Sequence, residues 1–480
     1  MLSGMASRSS ISLHAAGMLL AAAAAGLIVL TQPGVAAVGL GTLAVAPTAA
    51  LVLVGPARAL AIGGALAYAG AISWAYTAHF SPVYAYNGLI DADPAPTAVL
   101  IVATIAALPA AWLPIPARRP STIAVWTIYL VGYVPTAIVP IYLTGSLEAV
   151  LPWELALVSA MTVLGAVVRL RPPVIHTPHL SPSAFTWMLV GLSVLTFLYI
   201  AATFGLHPPP SLSDVYVTRA QFALEQGGTA VGGYIVPWAA NVINPLLMGI
   251  GIVRRRPWLV ALGLAGQLLI YADTGYKAVL FSIVLVPLVY FAIARAARWF
   301  GTLAVLGTAG ILVTTVGINS QPGGWPVALA TRTFATPGHV GWYYYDFFSQ
   351  HDQYHLSHSF LSWLFASPYS VDAPLLIGSL YFHQGTDANS SLFADAFANF
   401  GYPGVVVFTL ICAFALLVVD GLARGRDPRV VGPTMAIAGL SLGSTGFFTT
   451  MLTHGLALAG VIIALMPPDR ARSAANGSAG

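Results

Sequence analysis

The chain has a single cysteine, Cys412, set in an apolar stretch. One thiol can build neither an intrachain disulfide nor a thiolate metal site. Charge is also scarce: Asp, Glu, Lys and Arg make up 7% of the residues, and lysine occurs once, at 277. Other signals are missing too. There is no Walker or dinucleotide-type glycine fingerprint, so no cytoplasmic nucleotide in a standard loop powers the chemistry. No fixed-period repeat and no low-complexity linker divides the chain.

What is present is apolar sequence. Hydrophobic residues make up 58% of 480, in stretches of roughly 20 residues, long enough to span a bilayer core. The pattern predicts an all-α, polytopic helix bundle forming one membrane domain over residues 1–480. Fourteen spans are expected, near 12–31, 35–54, 58–76, 96–114, 122–142, 151–169, 184–204, 232–252, 257–273, 276–294, 300–317, 403–423, 430–446 and 450–466. The first apolar run follows Arg8 in the manner of a signal peptide, but it runs past the length of an h-region, so a retained helix is expected. The excess of arginine over lysine, with abundant Ala and Gly, suggests a GC-rich bacterial genome.

The short connections fix orientation. Reading them alternately as inside and outside puts sixteen of the nineteen basic residues inside, in turns such as 118–120, 254–256, 295–298 and 424–429. Cytoplasmic loops carry this excess of positive charge. Both termini are then cytoplasmic, and the net charge of +4 is a topology signal rather than a nucleic-acid footprint. Two long loops, 205–231 and 318–402, fall outside. The short apolar pieces of the second, 360–365 and 391–400, are expected as helices at the interface or dipping back into the protein.

Arg219, Lys277 and Arg332 are the cations that orientation does not explain. Arg219 stands in SDVYVTRAQFALEQGG, with Asp214, Tyr216 and Glu225 nearby. Its guanidinium either pairs with one of those carboxylates or grips a phosphate or carboxylate in a bidentate fork. Arg332 opens an aromatic segment with His339, Trp342, Tyr343 and Asp346, followed by His351, His355 and His358 at i, i+4, i+7. On a helix those three histidines share a face, open to metal binding, proton transfer or contact with headgroups. The metalloprotease pattern with an intervening Glu is absent, and no metal is expected. Asp387, Asn389, Asp395 and Asn399 follow in a segment approaching the membrane again, as helix caps and packing groups or as a wet site. Lys277 has Asp273 one turn earlier, which suggests an i, i+4 ion pair or a snorkelling side chain, with a phosphate contact as the other use. The spans themselves are read as lacking charged residues.

Taken in order, VYVTR, GGYIVPW, NPLL, a basic turn, TGYKAVLFS and NSSLFADAFANFGYPG resemble the bacterial oligosaccharide repeat-unit polymerases, the Wzy-type O-antigen polymerases. The likeness covers 213–290 and 381–405, about a fifth of the chain. It implies a membrane glycosyltransferase with its active site on the outer face of the cytoplasmic membrane. The substrates would be undecaprenyl-diphosphate-linked oligosaccharides among membrane lipids, with no cofactor, and the pathway partners a flippase and a chain-length regulator. By order and loop position, the essential arginines of that family would be Arg219 and Arg332. The family's arginine-and-glycine spacing is altered here, with Gly338 and Gly341 after Arg332 and Gly227 and Gly228 after Arg219.

The chemistry agrees with that implication. A diphosphate leaving group gains charge as the anomeric bond breaks, so outer cations stabilise the transition state more than the ground state. His339, Asp346 or Glu225 would accept the acceptor hydroxyl's proton. Lys277, Tyr216, Trp342, Tyr343, His355, Asp387, Asn389, Asp395 and Asn399 would hold substrate. Competing readings are an O-antigen ligase-like transferase with the same kit, a lipid-linked oligosaccharide flippase or permease, and a non-catalytic envelope scaffold.

Overall fold

A computed structural model describes residues 55–211, 215, 218–219, 222, 231–318 and 323–469. The first two expected spans, Tyr216 and Glu225 lie outside the described residues. Every regular element among those described is a helix. Eight continuous stretches are long and apolar enough to cross a membrane. These are α1 (Pro56–Asn87), α3 (Pro120–Thr144), α4 (Leu147–Val167), α5 (Pro182–Thr203), α6 (Gly232–Val253), Lys277–Gly317, α13 (Leu392–Leu422) and Phe447–Leu465. The stretch from Lys277 leaves helical geometry at Ala296 (φ −144°, ψ 36°), which divides it into α8 (Lys277–Ala296) and α9 (Phe300–Ile318). The last stretch divides into α15 (Phe447–Leu452) and α16 (Leu456–Leu465). Shorter apolar helices α2 (Pro96–Ala107), α7 (Pro257–Thr274) and α14 (Pro428–Leu442) pack among them.

Proline opens many of these helices, where its missing N–H costs no intrahelical bond: Pro56, Pro96, Pro120, Pro182, Pro257 and Pro428 each stand at the start. The deepest part of the bundle is α3, its window 89% buried. Trp126, Tyr129 and Tyr133 on α3 are fully enclosed, and each sends its polar tip to a backbone carbonyl, of Pro114, Ala106 and Ile105. Buried aromatic N–H and O–H groups need such partners.

Arginines gather at one end of the bundle and satisfy carbonyls that helix ends leave open. Arg58 donates to Ala110 and Leu113, Arg119 to Leu170 at 2.7 Å, and Arg426 to Met466 at 2.9 Å and Ala464 at 2.7 Å. These are cations expected on the inner side, and the pairing ties the ends of distant helices together.

Two expectations need correction. The spans do carry acids: Glu154 on α4 is fully buried, Asp273 ends α7, and Asp420 on α13 accepts from the Ser121 N–H at 2.9 Å and Oγ at 2.6 Å. A scan for runs of charge misses such singletons because the surrounding residues keep the window apolar. Secondly, residues 360–365 form turns rather than an interfacial helix, with Phe360, Trp363, Leu364 and Phe365 exposed. The stretch 391–400 is the buried start of α13, separated from its long part by a kink at Phe400 (φ −149°) and Gly401 (φ 58°).

Candidate functional site

At the end opposite the arginines, α10 (Trp325–Phe334), α11 (Thr336–Phe348) and α12 (Ala373–Tyr381) lead into α13. A pocket of about 400 Å³ opens here, lined by Tyr344, His358, Asp372, Asp387, Asn389, Ser390, Asp395 and Thr449 among others. That volume lies in the range of small-ligand sites, about 300–1,000 Å³.

Local sequence explains how the pocket is built. Asn399 is buried on the first part of α13; its Nδ2 donates to the Asp395 carbonyl and its Oδ1 accepts the Leu356 N–H, both at 2.8 Å. The Tyr354 and His355 N–H groups donate to the carbonyls of Ala398 and Asn399 at 2.9 and 3.2 Å. The chain turns there through His355 (φ 50°) and Leu356 (φ 68°), left-handed values that non-glycine residues seldom adopt. The turn sets His358 Nε2 3.7 Å from Asp395 Oδ1, an ionic contact longer than a hydrogen bond. His358 Nδ1 is buried with no hydrogen-bond partner among the described residues. The opposite wall is pinned by Tyr344, whose OH donates to Ala388 at 3.1 Å, while the Ala388 N–H donates to Pro374 at 3.0 Å. Asn389 Nδ2 donates to Asp387 Oδ2 at 2.8 Å.

The expected i, i+4, i+7 face of His351, His355 and His358 is not formed, because residues 351–364 are irregular chain, bends and turns rather than helix. His351 stacks on Phe347 at 4.1 Å, His355 meets the Phe400 ring at 5.4 Å, and His358 is the member that lines the pocket. Among the described residues no group of three or more His, Cys, Asp or Glu is placed to hold a metal ion.

Arg219 packs against the turn between α7 and α8. Gly275 (φ 61°) separates α7 from α8, and a Cβ there would lie 2.7 Å from the Val215 carbonyl oxygen and 3.1 Å from Arg219 Cγ. Glycine thus lets the segment carrying Val215 and Arg219 lie directly on the TGYK turn. The Arg219 guanidinium sits 5.1 Å from the centroid of the Tyr276 ring, within cation–π reach. Burial raises the Tyr276 hydroxyl above its ordinary pKa; Arg219 offsets this and Asp387 adds to it. Tyr276 therefore lies within electrostatic range of both Arg219 and a pocket carboxylate. Lys277 opens α8 next to it. Asp273 and Lys277 stand on different helices, and Asp273 meets His207 Nδ1 at 3.0 Å.

The residues of α10 and α11 form a separate group. His339 is 2% exposed, packed against the rings of Tyr343 at 4.6 Å and Phe382 at 5.2 Å. Burial pushes its pKa down to about 4; the Gly88 backbone offsets part of this, although Nε2 reaches no hydrogen bond of proper geometry. Tyr343 stacks on Tyr381 at 4.2 Å, and the Tyr381 OH donates to Asp346 Oδ2 at 2.9 Å. Trp342 is buried against Tyr345. Arg332 is exposed on α10. None of these five expected residues lines the pocket, whereas Asp387, Asn389 and Asp395 do. Asp372, Ser390 and Tyr276 join the site without having been singled out for it by sequence, and His358 enters it from the expected histidine run. Comparison with known proteins returns no matching family model, curated protein or solved structure.

Proposed function

We propose that this chain is a membrane glycosyltransferase that polymerises undecaprenyl-diphosphate-linked oligosaccharide repeat units on the outer face of the cytoplasmic membrane. The observation that carries this reading is the His358–Asp395 contact in the pocket, together with Arg219 over the ring of Tyr276, which lies in electrostatic range of the pocket carboxylate Asp387. In the proposed reaction the acceptor sugar occupies the pocket, and the His358 imidazole takes the proton of its attacking hydroxyl. Asp395 steadies the imidazolium that forms, as a carboxylate beside a developing cation does. The hydroxyl oxygen bonds to the donor's anomeric carbon while the bond to diphosphate breaks, and its electron pair leaves on the diphosphate. Arg219, with Lys277 nearby, meets that growing charge. His358 takes the place of His339, Asp346 and Glu225 as base in this scheme, because the first two are held in packed contacts away from the pocket.

Reconstitution with purified lipid-linked repeat units tests the proposal. The wild-type protein should build a ladder of longer glycans, and His358→Ala and Arg219→Ala should leave single units. A ladder unchanged by both variants would sink it. The buried acids Glu154 and Asp420 favour a second reading, a permease, since ionisable groups within spans commonly mark transport paths. Under that reading the same variants would leave repeat units trapped on the inner leaflet.

A further inference from the structure

We infer that the pocket selects a neutral or amine-bearing sugar and rejects one bearing a carboxylate, a specificity that rests on the glycan-transfer reading above. Asp372, Asp387 and Asp395 all line it, and among the described residues no lysine or arginine does. Carboxylates accept hydrogen bonds and donate none when ionised, so they suit hydroxyl and ammonium donors and repel a uronate. Acidic residues alone would say little, but a second observation points to a ligand. Ser390 lines the same space, is 5% exposed, and its Oγ has no hydrogen-bond partner among the described residues. A buried hydroxyl without a partner is costly unless something polar arrives to meet it. The buried, unpartnered Nδ1 of His358 makes the same demand from the other wall. One acceptor ring with several hydroxyls supplies both contacts, whereas a sugar carboxylate would face three like charges.

The test uses the full chain in lipid nanodiscs, titrated by saturation-transfer NMR with three disaccharides of equal size. One is built from glucosamine, one from N-acetylglucosamine, and one joins glucuronate to N-acetylglucosamine. The first two should bind, and the glucuronate probe should bind at least about tenfold more weakly. Asp387→Asn with Asp395→Asn should shrink that gap to about threefold or less. Should the double variant fail to fold, Ser390→Ala carries the test. It should weaken the two favoured probes by about three- to tenfold without lowering the thermal midpoint, because in the free protein its Oγ holds nothing. Equal affinity for the glucuronate probe, or saturable binding of none, would overturn the inference. Binding in the expected order without glycan extension would instead overturn the transferase reading alone.

Discussion

The Asn399 side chain holds the Leu356 N–H at 2.8 Å, and through it a residue on a kinked helix sets the shape of a loop forty-three positions earlier. Leu356 adopts φ 68°, so the turn survives only while its backbone is held. His358, two residues on, owes its place beside Asp395 to that grip. Asn399→Ala should therefore strand a partly buried N–H, costing about 1–3 kcal/mol. Glycan extension should fall by about tenfold or more while the protein still inserts in membranes. Leu356→Gly on the Asn399→Ala background should recover part of the thermal midpoint, since glycine tolerates the left-handed backbone. If Asn399→Ala changes neither the midpoint nor extension, the turn is held by other means.

Arg219 gives a second prediction. Its guanidinium lies over the ring of Tyr276, which is itself in electrostatic range of Asp387. Arg219→Ala should lower extension by about a hundredfold or more, the usual scale for losing a group that meets transition-state charge. Arg219→Lys should keep part of the rate, as a point charge without the bidentate fork. Tyr276→Leu should cost less, about 0.5–2 kcal/mol of cation–π stabilisation, and its effect should vanish in the Arg219→Ala background. Arg332 is the contrast: a loss at Arg332→Ala as large as at Arg219→Ala would mean that the two cations act on one substrate.

The helices were legible because a span announces itself by length and hydropathy. The expected spans within the described residues fall largely on helix, but eight stretches there, fewer than the twelve expected, are long and apolar enough to cross a membrane. Asp387, Asn389, Asp395 and Asn399 could also be read, as polar groups clustered before an apolar run. The histidine run misled because spacing was taken as helical, and nothing local in HDQYHLSH reports that Asn399 will cap a left-handed turn. Tyr276 was hidden for a similar reason: its importance comes from the loop that Gly275 admits beside it, a tertiary relation with no periodic signature. Glu154 was overlooked because one acid scarcely moves the hydropathy of a whole window.

His339 predicts a pH dependence of stability. Its folded pKa is pushed down from 6.5 to about 4, first by burial. The unfolded chain therefore binds a proton that the folded one refuses between those values. Stability from this group is complete above about 6.5 and is lost as pH falls toward about 4. A shift of that size corresponds to about 3 kcal/mol. His339→Phe keeps a ring among Tyr343 and Phe382 and should flatten the fall of the thermal midpoint across that window. An equally steep fall in the variant would assign the acid sensitivity to other groups.

Glu154 separates the transferase from the permease. It is fully buried on α4, and neither carboxylate oxygen has a hydrogen-bond partner among the described residues. Its neighbour on α4, Trp153, stacks on Tyr345 and meets Phe397. Replacing a buried polar group that lacks a partner by an apolar one of similar length removes a desolvation penalty and opens little space. Glu154→Met should then raise the thermal midpoint, by the equivalent of about 1–3 kcal/mol. A transferase whose chemistry lies in the outer pocket should keep extending glycans in that variant. A permease that moves charge through α4 should lose transport while becoming more stable, the trade expected where an ionisable group is kept within a span for its function. A lower midpoint in Glu154→Met would show instead that the carboxyl has a partner holding the bundle together, and neither role would follow from its burial.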